Sequence, residues 1–240
     1  MKAKILIAVL VSLLVILAVS PGIPAGNKAD EQGQDEGKGP KAPPEIGMVT
    51  FVNVPYWDSP PWYPPEEETD TYRLVRGGVQ WGILPVDCAV YTSGAPEGAF
   101  GAILNAFDEW EYWTSTDIYE NIEENPDNGI DNTVRWNTID GPGGAIAMTQ
   151  FMFWVRTKEL IMFNIIFDSE EDWSTDEATG TFDVQNVMTH ELGHTLVLDD
   201  LRSLRDGALT MHAYTWPGDI TKRDLGLGDI LGIQAIYGEP

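Results

Sequence analysis

Thr189-His190-Glu191-Leu192-Gly193-His194 sets two of the chain's three histidines four residues apart, with a glutamate beside the first. On a helix, positions i and i+4 lie one turn apart on the same face. Two imidazoles so placed can hold one Zn²⁺, and Glu191 lies where it can take a proton from a nearby water. Asp183 is suited to cap this helix, which the pattern predicts from Val184 to about Leu198. A catalytic zinc takes three protein ligands and leaves one position open, so one more ligand must come from outside the pair.

The motif resembles the metzincin pattern H-E-x-x-H-x-x-G-x-x-H. In this chain the glycine position holds Val197 and the last histidine position holds Asp200. The resemblance implies a zinc site of His190, His194 and Asp200, with Asp199 or His212 as alternative third ligands. A carboxylate oxygen is an acceptable zinc ligand. At about 100° per residue a straight helix would carry Asp200 away from the histidine face, so the chain must turn back near 196–198. Glycine makes such turns freely, whereas the β-branched Val197 resists positive φ. A gluzincin arrangement would need a glutamate from a later helix, and none lies between Glu191 and Glu239.

Further segments are similar to prokaryotic matrixin-like peptidases. They are Asp168–Thr175, Asp183–Asn186 and Gly228–Gly238, within a likeness running from about Tyr72 to Gly238. The resemblance implies an α+β fold. A twisted mixed β-sheet with an antiparallel edge strand would pack on two long helices, above a small C-terminal lobe with a Met-turn and a final helix. Leu209-Thr210-Met211-His212-Ala213-Tyr214 matches the Met-turn, with Met211 as an apolar floor under the metal. Tyr214 is a candidate for the pocket wall or for stabilising an oxyanion, and a packed loop tyrosine is the plainer alternative. Ala145–Val155 matches the edge strand on which a peptide substrate would lie as an added strand. Mammalian matrixins keep zinc latent with a propeptide cysteine. Cys88, the only cysteine here, sits in the apolar run Val86–Tyr91 and reads as a buried strand residue.

Patterning supplies other elements. Pro85–Tyr91, Ile118–Ile122, Thr133–Trp136 and Leu160–Phe167 read as strands, the last apolar enough for burial on both faces. After Pro96, residues Phe100, Ile103, Leu104, Phe107 and Trp110 mark one helical face. A last helix is expected from Asp229, with Gly238 ending it. Met48–Val54 is apolar and is followed by a Pro/Trp/Tyr-rich segment. Residues 45–71 are therefore an arm, a propeptide or a binding tail, ahead of a catalytic domain at 72–240.

Met1-Lys2-Ala3-Lys4 precedes an apolar run from Ile5 to Val19. This reads as a secretory signal over 1–20, or as an uncleaved N-terminal anchor. Residues 21–44 are too polar to bury a core and read as a disordered linker. The expected location is extracellular, secreted or tethered to the cell surface, and the expected state is a monomer. A net charge of −24 argues against nucleic-acid binding. Calcium is a second candidate cofactor, with oxygen groups in Asp127-Asn128-Gly129-Ile130-Asp131-Asn132 around a turn glycine. The reading that results is a zinc endopeptidase acting on peptides or proteins. The alternatives are a non-catalytic zinc- or peptide-binding protein of the same fold, and an acidic Trp-rich binding domain without metal.

Overall fold

The computed structural model describes residues 44–56, 69–127 and 129–240. The expected signal or anchor, nearly all of the linker, most of the Pro/Trp/Tyr segment and Asn128 of the calcium candidate lie outside the described residues. The strands are β1 Ile46–Pro55, β2 Gln80–Trp81, β3 Val86–Tyr91, β4 Tyr119–Glu124, β5 Thr133–Asn137, β6 Ala147–Trp154, β7 Glu159–Asp168, β8 Trp173–Ser174, β9 Phe182–Asp183 and β10 Tyr214–Thr215. The helices are α1 Ala99–Tyr112, α2 Val184–Thr195 and α3 Leu227–Tyr237.

One mixed sheet runs β10-β1-β6-β7-β5-β3-β4, with β2 pairing on β7. The neighbours β4, β3, β5 and β7 are parallel, and β6 is antiparallel to β7, as the α+β reading expects. One expectation needs correction. The outer edge of β6 is not open, because β1 pairs with it antiparallel from Ile46↔Trp154 to Asn53↔Ala147. The segment before the presumed domain thus supplies a strand of the main sheet, ending at Pro55, where proline cannot donate to a ladder.

Helices α1 and α2 pack against each other, α2 against β6 and α1 against β4. On α1 the buried stripe is Ala99, Ala102, Ile103, Ala106, Phe107 and Trp110. Trp110 Nε1 donates to the Thr189 carbonyl of α2 at 2.8 Å, and Trp81 Nε1 donates to Thr195 O at 3.1 Å. These bonds satisfy the buried indoles and fix the height of α2 over the sheet. Strand β7 buries Leu160, Phe163, Ile165 and Phe167, while Met162, Asn164 and Ile166 on the other face are half-buried. Burial on both faces therefore fails for β7.

Asp183 caps α2 as expected, accepting from Asn186 N at 2.9 Å. Arg223 holds the same carboxylate through Nε at 2.9 Å and Nη2 at 2.6 Å. This bidentate pair ties the C-terminal lobe to the start of the motif helix. The last helix begins at Leu227, two residues before the expected Asp229. Asp229 instead reaches back to accept from Gly226 N at 3.1 Å, which stabilises the first turn. Among the described residues, no helix is long and apolar enough to cross a membrane.

Candidate metal centre

Helix α2 ends at Thr195, one turn earlier than the pattern predicts, and Val197 then adopts φ +65°. Two bonds close the turn: Leu198 N–H donates to Gly193 O at 2.9 Å, and Val197 N–H donates to His194 O at 3.0 Å. This is a Schellman motif with valine at the left-handed position where glycine is usual. Two further bonds clamp it, from Val75 N to Val197 O at 2.8 Å and from Asp199 N to Arg73 O at 2.8 Å. Val197 is buried in the apolar cluster. Left-handed backbone costs an L-residue roughly 1–2 kcal/mol, while burying a valine side chain returns roughly 1.5–3 kcal/mol. Val197→Gly is therefore expected to lower stability by about 1 kcal/mol in urea unfolding and leave zinc binding unchanged. A clear gain in stability would mean that strain outweighs packing at this site.

The turn brings Asp200 back to the histidines. Asp200 Oδ1 lies 3.6 Å from His190 Nε2 and 3.6 Å from His194 Nε2. Among the described residues, His190, His194 and Asp200 form a group whose ligand atoms lie within 4.8 Å of one another. The ring nitrogens facing away are fixed by carbonyl acceptors: His190 Nδ1 lies 2.8 Å from Thr210 O, and His194 Nδ1 lies 2.9 Å from Leu198 O. Each ring thus carries its proton on Nδ1 and offers the Nε2 lone pair to a metal. Burial first, and then Lys222, holds His190 well below its ordinary pKa, so it is neutral. This donor set fits a divalent zinc.

The alternative ligands point elsewhere. Asp199 faces Arg73, 3.0 Å away. His212 packs edge-on against Tyr214, and burial with Lys222 nearby lowers its pKa to about 4. Tyr214 is half-buried, pairs in register with Val54 and meets the Tyr56 ring at 6.1 Å. Met211 lies under α2. A Cβ on Gly193 would collide with its Sδ and come within 2.9 Å of Trp110 Cζ2. The glycine inside the motif is thus required by close packing of the Met-turn. At the calcium candidate, Asn132 is already committed, donating to Asp87 O at 2.8 Å and accepting from Phe163 N at 2.9 Å.

Glu191 is fully buried. Its Oε2 accepts from Thr149 Oγ1 at 2.5 Å, and its Oε1 accepts from Asn53 Nδ2 at 3.1 Å. Burial pushes its pKa up, while His194 and these two hydrogen bonds pull it back. Four participants escape the motif: Asn53, Thr149, Lys222 and Asp229. The only trace of the first two is a polar residue at a buried position of a strand whose other buried positions are apolar or glycine. Lys222 is buried, donates to His212 O and lies 3.5 Å from His190 Nδ1. Burial lowers its pKa, and Asp219, Asp200, Glu191 and Asp229 oppose that shift.

Asp229 holds the Met-turn, accepting from Thr210 N at 2.7 Å and Met211 N at 3.0 Å. Burial raises its pKa from 3.8 to about 6. A carboxyl raised on folding stabilises most when protonated, and that contribution is lost as pH rises through the folded pKa. The stability advantage of the parent over Asp229→Asn should accordingly shrink by roughly 1 kcal/mol from pH 5 to pH 7. Urea unfolding at the two pH values checks this, and a growing advantage would reverse the sign.

A mixed sheet over a His-Glu-x-x-His helix, a return loop that brings Asp200 beside the two histidines and a Met-turn below are the features of the metzincin clan. The matrixin family model matches residues 95–238, and the chain belongs to the matrixin family. It is similar to stromelysin-1 of Rattus norvegicus, 40% identical over 203 residues, covering 82% of this chain and 36% of the relative. It is also similar to stromelysin-3 of Homo sapiens, 27% identical over 179 residues, covering 72% of this chain and 32% of the relative. Interstitial collagenase of Bos taurus is 36% identical over 100 residues, covering 42% of this chain and 19% of the relative. The chain thus spans about a third or less of the length of these relatives.

Proposed function

We propose that this chain is a secreted zinc-dependent endopeptidase, with His190, His194 and Asp200 as metal ligands and Glu191 as general base. The observation that carries this reading is the convergence of two Nε2 atoms and a carboxylate oxygen beside a buried glutamate. Zinc, when bound there, supplies a Lewis acid for the attacking water and the scissile carbonyl. Glu191 takes the proton of the water at a carboxylate oxygen and returns it to the leaving amine nitrogen. Thr149 holds the carboxylate in place from β6. Met211 gives the ligand helix an apolar floor, and Tyr214, on β10, is a candidate for orienting the substrate or the oxyanion. A peptide or protein substrate would lie extended along β6. All the named groups come from one chain, which is consistent with an active monomer.

The basic start and apolar run of residues 1–19 support export, with secretion or tethering to the surface as the result. Calcium is a further cofactor within the same family reading. With β1 loosened from the edge of β6 by Phe51→Asp, the zinc-loaded chain should hydrolyse peptides from an unstructured pool, and adding Glu191→Gln should keep the zinc and lose hydrolysis. Equal hydrolysis by the two zinc-loaded proteins would sink the role of Glu191. The coverage of β6 by β1 favours one second reading, a zinc-holding protein without turnover.

A further inference from the structure

Strand β1 lies where an extended substrate would lie. It pairs antiparallel with β6 along one side and parallel with β10 on the other, at Val54↔Tyr214 and Pro55↔Thr215. Three backbone bonds outside the strand ladders extend the pairing: Val155 N to Glu45 O at 3.0 Å, Ile146 N to Asn53 O at 2.9 Å and Tyr56 N to Thr215 O at 2.7 Å. A peptide added to β6 would need these same edges.

The side chains of β1 also take the reactive positions. Gly47, Val49, Phe51 and Asn53 share the inward face. The Phe51 ring stacks on the metal-facing His194, with centroids 3.8 Å apart and planes 7° from parallel. Asn53 is 3% exposed, donates through Nδ2 to Glu191 Oε1, and leaves Oδ1 buried without a protein hydrogen-bond partner. A buried amide in an apolar strand is costly unless it is bonded, and Glu191 is what bonds this one. A water delivered to Glu191 would compete with that amide for the same carboxylate oxygen. The thiol of Cys88 takes no part, since it is buried in β3.

We infer that residues 46–56 are a resident pseudo-substrate. They close the peptide site by strand addition and block the general base through Asn53, so the full chain is held latent until the strand is displaced. This rests on the peptidase reading above. Because strand and substrate compete for one edge, apparent substrate affinity falls by the fraction of molecules with the site open. Releasing the strand should therefore lower KM and leave kcat little changed.

The experiment compares the zinc-loaded full chain with Asn53→Ala and Phe51→Asp, two changes that loosen the strand by different means. Three quantities are read: kcat/KM on an unstructured peptide pool, binding of a fluorescent extended peptide, and hydrogen exchange at the Ile146 and Val155 amides in zinc-free protein. The inference expects faster exchange in both variants, tighter peptide binding and at least a tenfold rise in kcat/KM. Faster exchange with unchanged hydrolysis and binding overturns it and leaves the peptidase reading intact. Peptide captured by the variants but not by the parent, with no hydrolysis by any of them, keeps the strand's role and removes the peptidase reading.

Discussion

In the Phe51→Asp chain, Glu191→Gln is expected to retain one zinc and to lose 10²–10⁴-fold of peptide-hydrolysis rate, roughly the range for a positioned general base. The substitution is nearly isosteric. Thr149, held on β6, flanks the carboxylate and can rotate to serve an amide instead. The three proposed metal ligands have their own supports: Thr210 O for His190, Leu198 O for His194, and Arg202 3.3 Å from Asp200. Glutamine keeps the shape but cannot accept the proton of the attacking water. The loss should fall on kcat, with KM little moved, because the missing interaction exists only in the transition state. Zinc retention is measured by metal analysis of the same preparation. Loss of zinc together with activity would mean that Glu191 supports the ligands rather than the chemistry.

Asp200→Ala is expected to have the largest effect on metal retention. Partners that merely orient ligands account for about 10–100-fold in metal affinity, and removing a ligand should cost more than that. A chelator competition should therefore show zinc affinity falling by more than about 100-fold, with hydrolysis lost alongside. The controls are Asp199→Ala and His212→Ala. Asp199 is held by Arg73, and His212 lies outside the converging group, so both variants should keep the metal. Zinc lost from either control but kept by Asp200→Ala would overturn the ligand set.

Local rules carried the sequence a long way. Spacing located α2 and its face, Asp183 marked the cap, and short apolar runs marked β3, β4, β5 and β7. Where local rules failed, tertiary contacts had outweighed them. Valine resists a left-handed turn, yet two helix-closing bonds, a clamp from residues 73–75 and burial outweigh that resistance at Val197. Apolar content placed β7 under two layers, but the helices cover only one face of the sheet. The gravest gap was β1. Met48–Val54 alternates too briefly to name a partner, and its pairing with β6 joins segments far apart in the chain. For that reason the meeting of Asn53 and Thr149 at Glu191 was invisible before the fold.

Whether these residues form a working zinc peptidase is decided by the zinc dependence of peptide cleavage by the Phe51→Asp chain. The site geometry predicts one zinc per chain, cleavage of an unstructured peptide pool, loss of cleavage on removing the metal and recovery when zinc is returned. A protein that binds one zinc and captures extended peptides, yet leaves every peptide intact, would contradict it.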